Sequence, residues 1–583
     1  MHQPFATPHP SIYFNYKVYP AAPCPKADAI EPVLIVGAGP VGLTTALLLA
    51  KAGARSVVLE SEQQVCSGSR AIAFTRRSLE ILQQTGAHRA FKALGLPWGC
   101  GNSFYRGKQV FRMETPHDPH DRFAPLTNLQ QQFVEEALIE EVAKTPLVEI
   151  RWAHKVVRVV RSGAEEAKDA AFAALEIDTP HGPFVQRAHY VVACDGARSA
   201  LRRLLDLKLE GSSYEGRFVI ADIRIKLPLP TERLAFFDPV WNPGNTVLMH
   251  REPLDMWRID YQLPPGESPE EALRPESLTA RINAQLAMIG HGGIPWEMDW
   301  SSVYSARALT LPNYRHGHIL FAGDAAHLLP IFGVRGANTG FQDAQNLAWK
   351  LALVVKGKAP LALLDSYSHE RVAAAREIVH EAGKSTRFMT PPTRGFRLLR
   401  DAVLSLSLTQ AFVRPLFHWR TSRAHAYGDS PLNAPAADTA AMDSALDDNA
   451  LFGAAGLAAG VRVGEPMANV ALGPDDFLMD HFPAGFLLLV VGQDSATPLP
   501  ADVHSVLADF RARGHVIAVQ HNHHAEVVAR YAGPEGTGVY LFRPDQHVCA
   551  RWLAFDANAN VNVNAKPAAR RIELALNRAV GMS

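Results

Sequence analysis

The chain has 583 residues, 47 % of them apolar and 20 % charged, and its 58 basic side chains balance 58 acidic ones. That is the composition of a globular chain of roughly two to four domains, and it excludes a global field directed at nucleic acid or a membrane surface. Five widely spaced cysteines (Cys24, Cys66, Cys100, Cys194, Cys549) with no C-x-x-C pair exclude a disulfide framework and a zinc knuckle, and no stretch is long and apolar enough to span a bilayer.

Residues 1–31 are rich in proline and aromatics without periodicity and read as an extended arm packed on the surface; Tyr13, Phe14, Tyr16 and Tyr19 argue against a disordered tail. Pro4, Pro8 and Pro10 interrupt any apolar core there, so the arm does not read as a signal peptide, and a cytoplasmic location is expected.

The run Val33–Val36 suits a buried parallel strand, and Gly37-x-Gly39-x-x-Gly42 follows it. Gly37 permits the tight turn, Gly39 lets the backbone approach a pyrophosphate, and Gly42 lets a helix over Leu43–Ala52 pack closely on the sheet. Gly53 is a stop for that helix, Ser56–Leu59 returns as a strand, and Glu60 ends it where a carboxylate can bond ribose hydroxyls. The motif predicts a dinucleotide site and leaves FAD and NAD(P) both open.

Ser69-Arg70-Ala71-Ile72 precedes a helical pattern that stops near Gly86, and residues 99–125 read as a small β insertion. Asn128 to Val142 reads as a helix with Gln130, Gln131 and Gln132 at its start, Val148 to Val160 as strand, and 162–190 as a hairpin turning at His181-Gly182. Tyr190 to Ala193 is a short buried strand running into Asp195-Gly196, for which a plain strand-end turn is the competing reading. Residues 214–265 are β-rich and carry no nucleotide signal, so they read as a second domain that presents a sheet face to a ligand. Ile319 to Phe321 is again a strand, ending in Gly323-Asp324, and a glycine-rich loop through Gly333, Gly336, Ala337 and Asn338 opens a long helix from about Thr339 to Lys356. Free N–H groups and a positive dipole end gather at such a start. Residues 428–450 are a linker by composition, and 451–583 restarts as a small α/β domain.

Taken in order, Gly37-x-Gly39-x-x-Gly42, Asp195-Gly196 and Gly323-Asp324 resemble the signatures of the single-component (class A) flavoprotein aromatic hydroxylases. Within them the chain resembles the 3-(3-hydroxyphenyl)propionate hydroxylase-like subgroup with a thioredoxin-like C-terminal domain; the segment Arg543-Pro544-Asp545 is part of that likeness. The resemblance implies an α/β fold with a Rossmann-like FAD-binding domain (32–213 and 311–427) interleaved with a β-rich substrate domain (214–310). It implies FAD as cofactor and NADPH or NADH as co-substrate, and O2 added through a C4a-hydroperoxyflavin to a phenolic ring in aromatic catabolism. Glu60 would bond the adenosine ribose and Asp324 the ribityl chain or ribose hydroxyls; Arg70, Gln131 and Pro40 match cofactor-contacting positions, Val156 would meet adenine through its backbone, and Asp195 matches a segment linked to both FAD and NAD(P)H. Phe332-Gly333-Val334-Arg335-Gly336 stands where a more glycine-rich run is common. Arg307 and Pro330 would lie near the flavin and the substrate, and His250 and Tyr261 are candidates for the base that activates the phenol, each with sheet packing as its competing role. A homodimer is expected, with no metal and no nucleic acid. The sequence leaves open an epoxidase or a tailoring hydroxylase acting on a larger polycyclic substrate, and a non-oxygenating flavoprotein.

Overall fold

The computed structural model describes residues 2–25, 29–160, 172–264, 266–330, 332–413, 424–435, 460–492, 499–533, 536–552 and 568–582. Strand Ile30–Val36 is central because its second half is apolar on both faces and fully covered, as parallel strands between helices must be. It pairs in parallel with Phe184–Ala193 on one side and Ser56–Leu59 on the other. Ile319–Phe321 extends the parallel set beyond Phe184–Ala193, and Val148–Arg151 extends it beyond Ser56–Leu59. The strand order, out of sequence, is that of a Rossmann-like α/β unit. Its helix Pro40–Lys51 starts with proline in the first turn and ends before Gly53, whose φ is +75°. The hairpin expected over 162–190 is present as Ala173–Asp178 paired with Phe184–Ala193; residues 161–171 lie outside the described set.

The second sheet is built on the antiparallel strands Glu210–Arg224, Met256–Gln262, Thr246–Arg251 and Arg233–Phe237, with Glu297–Thr310 at one side. One of its faces is covered by the helix Pro275–Met288 through Val219, Ala221, Val247, Met249, Ile259 and Tyr261. The other looks toward the Rossmann-like unit. The stretch read as a small insertion does not stand alone: Cys100–Tyr105 pairs in parallel with Arg233–Phe237, and Lys108–Glu114 completes the sheet edge. A hairpin early in the chain cannot announce in its own alternation which distant edge it will close.

The C-terminal sheet runs Ile517–Asn522, Phe486–Val491, Gly538–Phe542, Val548–Trp552, with the first pair parallel and the others antiparallel. Its core is not independent, because Trp349 and Leu363 pack into it. Of the stretch read as linker, 428–435 is described and is packed rather than extended into solvent. Leu432 and Ala434 enter the same core, Ala434 N–H donates to Cys549 O at 2.8 Å, and Ser430 Oγ bonds Glu370; 436–450 lies outside the described residues.

The N-terminal arm is stitched down along its length. Gln64 Nε2 donates to Thr7 O at 2.7 Å, Asp299 accepts from Ser11 Oγ and Ile12 N, and Tyr19 stacks on Trp152. Tyr16 Oη, buried, receives Gly68 N–H and the Gln132 amide and donates to Cys66 O. Among the described residues no helix is long and apolar enough to cross a membrane.

Candidate functional site

Three chain segments meet at one point because small residues let them. A methyl added at Gly42 would lie 2.0 Å from Gly37 O, and one at Gly37, whose φ is +107°, would lie 2.5 Å from Cys194 O. The first turn of Pro40–Lys51 therefore rests on the ends of two strands. Val41 fills the notch left by Gly323 and Gly340: added methyls there would come within 3.0 and 2.5 Å of its side chain. The starts of the helices Pro40–Lys51 and Gly336–Val355 and the Gly323-Asp324 turn are thus brought together. By contrast, nothing lies within 4 Å of a methyl added at Gly39 or Gly336, so both face open space where a ligand's backbone-seeking oxygens can approach.

Carboxylates sit at the strand ends. Glu60 accepts Ala38 N–H at 2.7 Å and Glu62 N–H at 3.0 Å, and burial raises its carboxyl against those bonds. Asp324 is walled in by protein, so burial raises its carboxyl against the pull of His327, Arg70 and Arg202, yet its side chain keeps accessible surface. Arg70 is exposed and close enough to act on that carboxyl. Asp195 behaves as a turn residue on one oxygen, Oδ2 accepting Leu201 N–H at 3.1 Å, while Oδ1 is buried without a hydrogen-bond partner.

The structure separates the three glutamines. Gln130 bonds Pro253 O and Gln132 bonds Tyr16, both fully inside; Gln131 is half-buried and holds the loop that carries Arg70, its Oε1 accepting Ala71 N–H at 3.1 Å. Gln131 Nε2 donates to Glu135 at 2.7 Å, and Glu135 also accepts Cys66 N–H at 2.8 Å. Val156 turns its side chain into the core, leaving only its backbone for any contact. Asn338 is committed to structure: Oδ1 accepts Thr75 N–H and Ser78 Oγ–H, and Nδ2 donates to Ala73 O and Val334 O, pinning the glycine loop to strand Ala73–Thr75. Ala337 is half-buried beside it.

Burial pushes the Glu135 carboxyl up to about 7 from 4.5. The unfolded carboxyl is then ionised where the folded one is not, so its contribution to stability is full below pH 4.5 and is lost as pH rises through 7, by about 3 kcal/mol at most. Glu135→Gln should therefore raise the denaturation midpoint at pH 8, change it little at pH 5, and flatten the profile between; midpoints at the two pH values check this.

Two residues absent from the sequence-derived set hold these turns in place. Arg202 donates to Ala325 O at 2.9 Å, Asp324 O at 3.3 Å and Ala197 O at 2.6 Å, so it ties the Asp195 turn to the Gly323-Asp324 turn. Asp343 Oδ2 accepts Gly323 N–H at 2.9 Å and bonds His327 Nε2 at 2.7 Å, while Oδ1 takes Arg371 Nε at 2.6 Å. Both lie at positions that read in sequence as polar faces of helices, and only the fold turns those faces inward.

Beyond the Gly333–Arg335 loop lies the inner face of the second sheet. One end is apolar: Phe218, Phe237, Leu248 and Tyr105 pack with Phe332 of the loop and with Met389 and Leu404, and the Phe218 and Phe332 rings meet edge to face at 5.3 Å. Pro330 is buried next to Leu329, whose carbonyl accepts the Tyr304 hydroxyl at 2.9 Å. Arg307 is exposed on Glu297–Thr310, near enough to Tyr304 and Arg202 to bias their ionisation. The other end is polar, with Asp222, Arg258, Asp260, Arg233 and His250 all buried. His250 lies on this face, beside Trp98 at 6.4 Å between rings, and burial with Arg233 and Arg258 nearby pushes it down to about 3, so it is neutral. Tyr261 does not lie on it. Strand alternation turns Tyr261 to the far face, against Trp241 and Arg281 in the core under Pro275–Met288. That placement withdraws it as a base.

The geometry matches what is found among known proteins. The profile described as "FAD binding domain" matches residues 31–382. The chain is 32 % identical over 374 residues to a 3-(3-hydroxy-phenyl)propionate/3-hydroxycinnamic acid hydroxylase of Comamonas testosteroni, covering 64 % of this chain and 61 % of that one, so the match spans about three fifths of that relative's length. The fold follows that of the flavin-dependent monooxygenase PieE, solved with FAD and substrate (TM-score 0.77, 21 % identity, 95 % of this chain and 100 % of that one). It also follows aklavinone-11 hydroxylase, solved with FAD and aklavinone (TM-score 0.73, 24 % identity, 95 % and 99 %). With the glycine turns, strand-end carboxylates and paired helix starts assembled over the same residues, the chain belongs to the FAD binding domain family.

Proposed function

We propose that this chain is a monooxygenase that uses FAD, NAD(P)H and O2 to hydroxylate a phenolic aromatic ring. The observation that carries the reading is a juxtaposition: two open helix starts and the Asp324 turn on one side of the Gly333–Arg335 loop, and the aromatic end of the sheet face, which packs on Phe332 of that loop, on the other. The phenolic substrate named for the Comamonas relative supports the ring class.

In this reading Gly37, Gly39, Pro40 and Gly42 pass the pyrophosphate, Glu60 bonds the adenosine ribose, and the Val156 backbone meets adenine. Gly323 and Asp324 hold the ribityl chain, with Arg70 across from them and Asp195 behind. Gly336, Ala337 and Asn338 present the helix start to the flavin edge, where a positive dipole end favours negative charge. When bound, FAD supplies hydride acceptance and the activation of dioxygen. The protein's own contribution is to orient and to keep dry: Phe218, Phe332 and Leu248 flank the ring and exclude water, and neutral His250 can accept a hydrogen bond from a phenol O–H. Arg307 and Pro330 stand at the mouth. The C-terminal unit, thioredoxin-like in strand and helix order but without C-x-x-C, acts as a brace. A homodimer in the cytoplasm belongs to the same reading.

The test is NAD(P)H oxidation by the purified protein with and without a panel of phenols, reading peroxide and product mass together. One phenol that speeds oxidation and gains a single oxygen atom establishes the reading. Stimulation without oxygen gain in any phenol, or no stimulation at all, overturns it.

A further inference from the structure

The polar end of the inner sheet face holds more carboxyls than a substrate-carboxylate site can tolerate. Asp222, Glu252 and Asp260 are 0, 1 and 6 % exposed. Two guanidiniums lie among them, and Arg258 is fully committed. Arg258 Nε and Nη2 hold the two oxygens of Asp222 at 2.7 and 2.8 Å, Nη1 donates to Arg70 O at 3.2 Å, and Nη2 also bonds Ser69 O. Arg233 stands next to Asp260, whose charge supports it against burial. An arriving carboxylate would meet Arg258 already engaged by Asp222, and the carboxyls of Asp222, Glu252 and Asp260 around it.

What this end does offer is hydrogen-bonding capacity without a hydrogen-bond partner. Asp260 Oδ1, His250 Nδ1 and both oxygens of Glu252 are buried without a hydrogen-bond partner, Glu252 Oε1 having only the charge of Arg258 Nε at 3.5 Å. Leaving such atoms unpaired is costly, so a ligand that pairs them gains what the protein has forgone. Their position fits a ligand seated against the aromatic end of the same sheet face. Asp260 is paired across the strands with Leu248 and with Ile220, and Leu248 belongs to the cluster that receives Phe332. Directly opposed residues on one sheet face keep their Cβ atoms about 4.5–5.5 Å apart. A ring seated on Leu248 therefore presents its substituents to Asp260, with His250 on the same strand two residues along. Burial pushes the Asp260 carboxyl up to about 7, opposed by Arg258, so near neutral pH it can both take and return a proton.

We infer that Asp260, with His250 beside it, accepts hydrogen bonds from the hydroxyls of an uncharged, hydroxylated aromatic ring and selects such rings over aromatic carboxylates. This rests on the proposed ring site of the hydroxylase. It sets this chain apart from its Comamonas relative, whose name carries a carboxylic acid substrate. Asp260 is a specificity residue in contact with substrate, and the far end of the natural substrate is a neutral hydroxyl-bearing group.

The experiment is a titration of the FAD-loaded protein, without nicotinamide, following the perturbation of flavin absorbance. Resorcinol and catechol are compared with 3-(3-hydroxyphenyl)propionate and 3,5-dihydroxybenzoate, for the wild type, Asp260→Asn and Asp260→Arg. The neutral rings should bind the wild type at least about tenfold more tightly than the carboxylates. Asp260→Asn should narrow that ratio, and Asp260→Arg should invert it, with flavin content showing that each variant is folded. Carboxylates that bind as well as the neutral rings, a ratio unchanged in both variants, or no perturbation by any ring overturns the inference; in the last two cases buried water serves Asp260. Because binding is read without turnover, an absence of NAD(P)H oxidation sinks the proposed function while leaving this ratio to be judged by itself.

Discussion

Gly42→Val protein should purify colourless, with FAD affinity reduced by more than about a hundredfold, equivalent to roughly 3 kcal/mol. The β-carbon alone would sit 2.0 Å from Gly37 O and 3.3 Å from the Cys194 side chain. Neither neighbour can retreat. Gly37 is itself wedged against Cys194 O in a left-handed conformation, and Cys194 continues a strand fixed by its parallel register to Ile30–Val36. The helix start must lift off the sheet, and the open N–H groups near Gly39 go with it. Gly39→Ala supplies the contrast, since its methyl meets no protein atom within 4 Å. That variant should keep wild-type stability without FAD and weaken only FAD binding. Flavin-to-protein ratio, FAD titration and the melting midpoint of the FAD-free proteins separate the two outcomes.

Arg543→Met should be the most destabilising substitution outside the cofactor site, by about 3–5 kcal/mol, because it strands two buried carboxylates. Arg543 Nη1 bonds Glu370 at 2.5 Å and Nη2 bonds Asp545 at 2.6 Å, with all three side chains at most 1 % exposed. Burial alone would raise both carboxyls; Arg543 outweighs it and holds them below the usual range, helped at Glu370 by Lys350. The guanidinium also lies over Tyr427 at 5.3 Å and Trp349 at 5.7 Å. Denaturant midpoints should show that Arg543→Met with Glu370→Gln costs less than the sum of the single substitutions, since each removes the same contact. The network runs on through neighbouring Arg371 to Asp343, which holds Gly323, so Arg543→Met should also loosen FAD.

The fold class was legible because its signals are local. A covered strand, a glycine turn and an acid after the next strand are dictated over a few dozen residues. The same locality explains what was not legible. In Met256–Gln262 the apolar stripe Trp257, Ile259, Tyr261 was visible, and the alternate stripe Arg258, Asp260 reads as solvent-facing in any single strand. Only the docking of the Rossmann-like unit over it turns that stripe into the interior. Tyr261 was therefore named for its chemistry while its phase in the strand placed it in the far core, and Asp260 was passed over. Packing of 428–435 was hidden likewise, since a chain without periodicity can still be buried when side-chain hydrogen bonds such as Ser430 to Glu370 serve it.

The long-range clasps impose an order on biosynthesis. Ser11 meets Asp299 across 288 residues, and Arg77 meets Gln546 across 469. Loop closure over such spans is entropically slow to be rewarded, so these contacts form late. As the chain leaves the ribosome, the cofactor unit must hold Trp349, Leu363 and the charged partners of Arg543 uncovered until the final sheet has been made. The nascent protein thus passes through roughly the last third of its synthesis with an apolar flank open, an interval in which exposed apolar surface favours aggregation and chaperone binding.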